Sequence, residues 1–208
     1  MRNTVKYLIF LIIYLACGGN LQAQNYTFRN VVMSDGLSGL LVNTIYKDSE
    51  GFVWLGTDNC LDRFDGVKVR HFEFRGIESG RKKRVNSVTE TASKQLWVGN
   101  GIGLWRLNRT NSQLERIVPE KIDFAVNTLL ANEDVLYIGT EKGLFIHKDG
   151  QLLQVLTDRN MLAACNRIMD ICLNEDKTVL WLATVQGLFS YSLKDGKIDS
   201  WHFQENVP

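Results

Sequence analysis

The sequence has little of several residue types that mark particular classes of protein. It contains four cysteines and two prolines in 208 residues, and no two cysteines have the CxxC spacing of a zinc or redox site. Four cysteines are too few for a disulfide scaffold in a chain of this length. Charge is nearly balanced, with 24 Lys and Arg against 23 Asp and Glu, so the composition does not indicate a nucleic-acid partner. We therefore expect no metal ion, no cofactor and no nucleic acid at this segment.

Catalytic motifs are also absent. The sequence has no G-x-S-x-G elbow, no phosphate-binding P-loop and no HExxH zinc motif. Of the three histidines, His71 and His202 each precede a Phe at the predicted end of an outer strand, so repetition accounts for them better than catalysis does. Acidic residues such as Asp48 and Asp65 fall in predicted turns. The sequence predicts a protein that is not an enzyme.

The apolar run at the N-terminus is short. Residues 7–16 are continuously apolar, whereas a helix needs about 20 residues to cross a membrane. Two basic residues precede this run, and a small and polar stretch that ends at Ala23 follows it. This pattern predicts a signal peptide at 1–23 and a secreted mature chain at 24–208. Lipidation at Cys17 and an uncleaved anchor are the alternatives.

One segment of roughly 40 residues occurs four times in the mature chain. In each copy the apolar residues alternate with a period of two between turn residues, which predicts four short antiparallel strands, the blade of a β-propeller. The connections are too short for the crossover helices of a parallel sheet. An aromatic anchor on each second strand, predicted to be buried between blades, recurs after 43, 40 and 44 residues. The anchors are Trp54, Trp97, Tyr137 and Trp181, and the predicted blades span 42–72, 85–117, 126–156 and 168–203.

The strand count predicts an open assembly. Residues 25–32 alternate like the fourth strand of a blade, and we expect them to complete a last blade whose other strands are missing. The predicted fold is therefore all-β: an incomplete β-propeller of four four-stranded antiparallel blades. Closure of the four blades into a ring of their own is the alternative, but it leaves the extra strand unexplained.

Three motifs in and just before the first blade carry a family resemblance. The segments SDGLS (34–38), VNTIYKDSEGFVWLGT (42–57) and RFDG (63–66) closely resemble the two-component regulator propeller repeat. That resemblance implies the first four blades of a seven-bladed propeller in the periplasmic sensor of a hybrid two-component system, from a polysaccharide-degrading Gram-negative bacterium. The membrane helix and the histidine kinase would then lie in domains absent from this chain.

The resemblance also implies a function. We expect an oligosaccharide ligand, control of polysaccharide-utilisation genes, and contacts with the remaining blades and with a second copy of the receptor. A propeller that assembles with another protein and binds no small ligand is the alternative.

Polar residues recur at the end of each blade where the first strand begins. Their amide and carboxylate groups suit the hydroxyl groups of a carbohydrate. Hydrogen bonding to neighbouring backbone is the alternative role for the asparagines. The candidate ligand-binding residues are Asn43, Asn86 and Asn127 at the strand starts, and Asp58, Asn59, Asn100, Glu141, Lys142 and Gln186 in the turns between second and third strands.

A basic run precedes the second blade. Residues 81–84 read Arg-Lys-Lys-Arg, and Arg84 beside Asn86 could clamp a sulfate or uronate group of an anionic glycan. An ordinary solvated loop is the alternative. Trp105 and Trp201 could stack on sugar rings or pack between blades.

The cysteines carry no clear signal. Cys60 replaces the glycine that other blades have before the third strand, and we interpret it as a small apolar residue. Cys165 and Cys172 could pair, or remain free and buried.

Overall fold

A computed structural model describes residues 30–77, 83–117, 122–155 and 167–201. These residues form sixteen strands, one 3-10 turn (Met33–Asp35) and no α-helix. All sixteen strands lie in the second of the two units of the chain, Val32–Pro208. No helix among the described residues is long and apolar enough to span a membrane. The signal peptide predicted at 1–23 lies outside them.

The strands form four antiparallel sheets of four, each ordered as in the chain. We refer to them as blades one to four. Blade one contains β1 (Val42–Lys47), β2 (Val53–Thr57), β3 (Leu61–Phe64) and β4 (Val69–Phe72). Blade two contains β5 (Val85–Glu90), β6 (Leu96–Asn100), β7 (Gly103–Asn108) and β8 (Gln113–Ile117). Blade three contains β9 (Val126–Asn132), β10 (Val135–Thr140), β11 (Gly143–Lys148) and β12 (Gln151–Gln154). Blade four contains β13 (Ile168–Leu173), β14 (Val179–Thr184), β15 (Gly187–Ser192) and β16 (Ile198–Trp201).

Consecutive blades pack against each other through their first strands. β1 contacts β5, β5 contacts β9, and β9 contacts β13. Three apolar clusters fill the three spaces between successive blades. No comparable contact joins blade one to blade four in the described part of the chain. The predicted fold, an open propeller of four four-stranded blades, is confirmed.

The aromatic anchors show where the stack of blades is open. Trp54, Trp97 and Tyr137 lie on the second strands of blades one to three and are buried. Trp181, at the same place in β14, is only half-buried and packs on Trp201 with the ring centroids 5.2 Å apart. The repeat therefore fixes the register of the anchor, whereas its burial depends on the next blade.

Glycine in the second strand is required by the close approach of the next blade. A Cβ added at Gly56 would lie 2.6 Å from Cγ1 of Val85, and one at Gly139 would lie 2.8 Å from Cγ2 of Ile168. Ala183 occupies this position in blade four, where it is exposed. Blade four thus carries a Cβ at the place where the other blades have no room for one.

One sequence expectation lies mostly outside the described residues, and another is wrong. The strand predicted at 25–32 lies mostly outside the described residues, and its described part, 30–32, is not a strand. Val32 instead caps the 3-10 turn, because its N–H donates to the carboxylate of Asp35 at 3.0 Å. Cys172 is exposed rather than buried, since its side chain does not face the core that Ile171 enters. Its suggested partner Cys165 lies outside the described residues.

Candidate ligand-binding face

Every first strand has an irregularity at its second residue. In blade one, Val42 pairs with Thr57 and Thr44 with Gly56, so the residue between them has no partner in the register. The same shift occurs in the other three blades. Such a bulge re-aims the side chain of the extra residue. The four bulge residues are Asn43, Asn86, Asn127 and Met169.

The bulges bring four of the predicted residues into one cavity of about 220 Å³. Its lining contains Asn43, Arg84, Asn86 and Asn127, together with Arg167 and Met169. Sequence reasoning missed the last two residues. The signal was present, because Arg167 stands one residue before Ile168 just as Arg84 stands one residue before Val85.

Two of the asparagine amides connect blades. Asn86 Nδ2 donates to the carbonyl oxygen of Val126 at 2.9 Å, and Asn127 Nδ2 donates to that of Ile168 at 2.8 Å. Each bond joins the bulge of one blade to the first strand of the next. These amides therefore hold the structure together as well as lining the cavity.

Asn43 has a different partner. Its Nδ2 donates to Oδ1 of Asp58 at 2.9 Å, within blade one. Arg84 Nε lies 3.8 Å from the same Oδ1, and both charged side chains are partly exposed. Asp58 thus lies beside the cavity, where it offsets part of the charge of Arg84.

The cavity carries a net basic character. Arg84 and Arg167 are both exposed, and among the described residues Arg167 forms no ion pair. Guanidinium groups bind carboxylate and sulfate oxygens through paired N–H donors. A pair of arginines among amide groups can bind an anionic group.

The other predicted turn residues do not line this cavity. Asn59 donates through Nδ2 to the carbonyl oxygen of Ser38 at 2.7 Å. Glu141, Lys142 and Gln186 are exposed in the turns of blades three and four. The Lys142 ammonium lies 4.4 Å from the centre of the Phe124 ring, a cation–π contact.

The prediction of Asn100 as a ligand-binding residue at the surface is wrong. The residue is fully buried. Its Oδ1 accepts hydrogen bonds from the backbone N–H of Ile102 at 3.0 Å and from Trp105 Nε1 at 3.1 Å. Asn100 therefore stabilises the turn from its buried side, because its amide oxygen accepts hydrogen bonds from two buried donors.

The basic run and the two tryptophans are partly described. Arg81 and Lys82 lie outside the described residues. Of the other two basic residues, Arg84 lines this cavity and Lys83 lines a different one. Trp105 packs between blades, with its ring centroid 4.9 Å from that of Phe74. Trp201 is exposed on the outer strand of blade four, and its Nε1 donates to Ser190 Oγ at 3.0 Å.

Comparison with known proteins agrees with the blade architecture. The family described as "Two component regulator propeller" matches residues 36–59. A stretch of 66 residues is 36% identical to histidine kinase P4 of Formosa agariphila, which corresponds to 32% of this chain and 5% of that protein. The chain therefore spans a small part of the relative that it matches.

Solved structures show the same fold. The extracellular domain of the hybrid two component system BT4673 from B. thetaiotaomicron superposes with a TM-score of 0.65 at 24% identity, over 80% of this chain and 23% of that one. The extracellular domain of BT3049 from the same organism gives 0.68 at 20% identity, over 84% and 26%.

The fold and the repeated bulges define this chain as an open β-propeller whose blades meet at a polar cavity. More particularly, its residues 36–59 match the two-component regulator propeller repeat, and its fold is similar to that of the extracellular domains of hybrid two-component systems.

Proposed function

We propose that this chain is part of the ligand-sensing propeller of a hybrid two-component receptor in the periplasm. Its ligand would be an anionic oligosaccharide, and its output would be control of polysaccharide-utilisation genes. The observation that carries the proposal is the presence of Arg84 and Arg167 with three asparagines around one cavity. Phosphate transfer would belong to the kinase domain of the receptor.

The size of the cavity limits what it would hold. About 220 Å³ is below the roughly 300–1,000 Å³ of a complete small-molecule site. The cavity would hold one acidic sugar unit, its carboxylate or sulfate between the two guanidinium groups. Further blades would supply the rest of the binding site.

The exposed face of blade one supports a contact with further blades. Ile45 is 68% exposed, whereas Val88 and Leu129, at the same register in the next two blades, are 5% and 7% exposed. Likewise Val42 is 39% exposed and its counterpart Val85 is fully buried. This face would be covered by another blade, from a longer chain of the same protein or from a second copy.

Calorimetric titration of the protein tests the ligand. We expect an oligogalacturonate to bind and a neutral galactose oligomer of the same length to bind more weakly. Replacing Arg84 or Arg167 by Ala should each weaken the binding of the anionic oligomer by about 1.5 to 3 kcal/mol, the range for a hydrogen bond to a charged group. Arg70→Ala, on the outer strand β4, is the matched control and should leave the affinity unchanged.

Equal affinity of the variants and the parent protein would contradict a role for the arginines. Equal affinity for the acidic and the neutral oligomer would contradict an anionic ligand. Binding of neither oligomer, together with a self-association that Ile45→Lys abolishes, would favour the assembly module instead.

A further inference from the structure

A second polar cluster lies in blade one, outside the cavity of the bulges. Asp62 on β3 is fully buried, and its Oδ1 accepts two hydrogen bonds. Cys60 Sγ lies 3.2 Å from this oxygen and His71 Nδ1 lies 2.7 Å from it. Oδ2 accepts from the backbone N–H of Ser38 at 2.8 Å and from its hydroxyl at 2.7 Å. Four donors therefore converge on one buried carboxylate.

The other three blades have no such cluster at the matching positions. In those three blades, the cross-strand register places an aromatic residue at the position of Asp62 and a glycine at the position of Cys60. Trp105 and Phe145, two of these aromatic residues, are buried between blades. A buried carboxylate in place of an aromatic ring is costly unless specific partners compensate it.

Repetition does not account for His71. Asp62 pairs with His71 across β3 and β4, and the corresponding residue in blade four is Ser200, opposite Phe189. The sequence-based match of His71 with His202 is therefore wrong, because the strand register is shifted by two residues from the one assumed. The position of His71 is therefore specific to blade one, where the residue contacts Asp62.

Three atoms of the cluster have the chemistry of metal ligands. The Cys60 sulfur, an Asp62 oxygen and a His71 nitrogen all lie within 4.8 Å of one another. Zinc binds such atoms at about 2.0–2.3 Å, so ligands around one zinc ion lie about 3.5 Å apart. The two hydrogens that now point at Oδ1 would give way to one ion placed between the three atoms.

Charge balance favours a divalent ion at this place. A thiolate, a carboxylate and a neutral imidazole carry two negative charges, which a divalent cation neutralises. On binding, the Cys60 thiol releases its proton to solvent. The His71 proton that points at Oδ1 leaves Nδ1 for solvent and Nε2 takes one up, so that Nδ1 binds the metal and the ring stays neutral. A neutral group of ligands is less costly to bury than an unpaired charge.

The cluster is accessible from one side. Cys60 and His71 line a cavity of about 310 Å³ together with Ser38, Asn59, Glu73, Phe74 and Lys83. His71 is exposed, whereas Asp62 is not. An ion could enter through this cavity, and its fourth position would face it, where water can bind.

We infer that Cys60, Asp62 and His71 form a binding site for a divalent transition metal of the zinc type. Ser38 positions the carboxylate, because its two hydrogen bonds hold Oδ2 and leave Oδ1 facing the metal. The metal would tie the segment before β1, through Ser38, to the third and fourth strands of blade one.

Cobalt(II) added to the EDTA-treated chain tests this site, because a cobalt–thiolate bond gives a charge-transfer band in the near ultraviolet. We expect one equivalent to bind with that band, and zinc to displace it. Cys60→Ala and His71→Ala should abolish the stoichiometric binding, and Ser38→Ala should weaken it about tenfold or more. The matched control replaces Cys165 and Cys172 by serine and should keep the band.

Circular dichroism of each variant shows that the blades are still folded. The absence of a thiolate band in the parent chain would overturn the proposal. So would an unchanged cobalt affinity in folded Cys60→Ala, or a band that disappears in the control variant. Failure of the oligosaccharide titration would leave this result unaffected, since the two cavities share no residue.

Discussion

The indole Nε1 of Trp54 donates a hydrogen bond of 2.8 Å to Oδ2 of Asp48, six residues earlier in the chain. Oδ1 of the same carboxylate accepts from the backbone N–H groups of Glu50 and Phe52 at 3.0 and 2.9 Å. Both Asp48 and Trp54 are buried. One side chain thus closes the turn between β1 and β2 and satisfies the polar atom of the anchor residue.

Asp48→Ala should therefore destabilise the chain. The substitution leaves the Trp54 Nε1 buried without a partner and opens the turn, at a cost of about 1.5 to 3 kcal/mol. Urea unfolding followed by tryptophan fluorescence measures the change. Asp65→Ala is the control, because Asp65 also accepts two backbone N–H groups but is exposed, and it should cost less. Equal losses in the two variants would contradict a special role for the buried carboxylate.

Blade two lacks this bond and offers the reverse experiment. Thr91 occupies the place of Asp48, and the Nε1 of Trp97 is buried without a hydrogen-bond partner among the described residues. Thr91→Asp supplies an acceptor six residues before the indole, as in blade one. We expect the free energy of unfolding to rise by about 1 kcal/mol. A loss of stability would show that the cost of burying the new charge exceeds the gain from the bond.

The architecture could be predicted because its causes are local. Alternating apolar residues and turn residues fix the strands, and the spacing of the anchors fixes the blades. The register of Trp54, Trp97 and Tyr137 follows from these patterns alone. Trp181 shows the limit, because its exposure depends on a neighbouring blade and not on its own segment.

The site was predicted only in part, because its geometry depends on pairing between distant residues. The hydrogen bond of Asn86 reaches Val126, 40 residues away, and no local pattern gives that distance. Asn100 has the sequence of a turn residue, but the turn directs its side chain inward. Similarly, the approach of His71 to Asp62 depends on the register of β3 and β4.

The glycine of the second strand gives a prediction about packing between blades. Gly139→Ala places a Cβ 2.6 Å from Cγ2 of Thr128 and 2.8 Å from Cγ2 of Ile168. Overpacking of this kind costs about 1 to 3 kcal/mol. The control is Ala183→Gly, the reverse change at the same position of blade four, which should cost less than about 1 kcal/mol. If urea unfolding shows the same free energy of unfolding for Gly139→Ala as for the parent chain, blades three and four are not packed as described.

His147 should make stability depend on pH. It lies between blades two and three, with its ring centroid 4.8 Å from that of Trp97. Burial, and secondarily the nearby Arg106 guanidinium, lower the pKa of His147 below its ordinary 6.5. The unfolded chain therefore binds the proton more tightly than the folded chain does. The resulting stability is complete above about pH 6.5 and is lost as the pH falls from there towards the folded-state pKa.

His147→Phe keeps a ring against Trp97 and removes the titrating group. Between about pH 7.5 and 5.5, a range that spans the ordinary histidine pKa, urea unfolding should show a smaller loss of stability in this variant than in the parent chain. His71 and His202 are present in both proteins, so the comparison isolates the effect of residue 147. Equal losses in the two proteins would mean that His147 is protonated as readily in the folded as in the unfolded chain, and that the contact between blades two and three is not sensitive to acid.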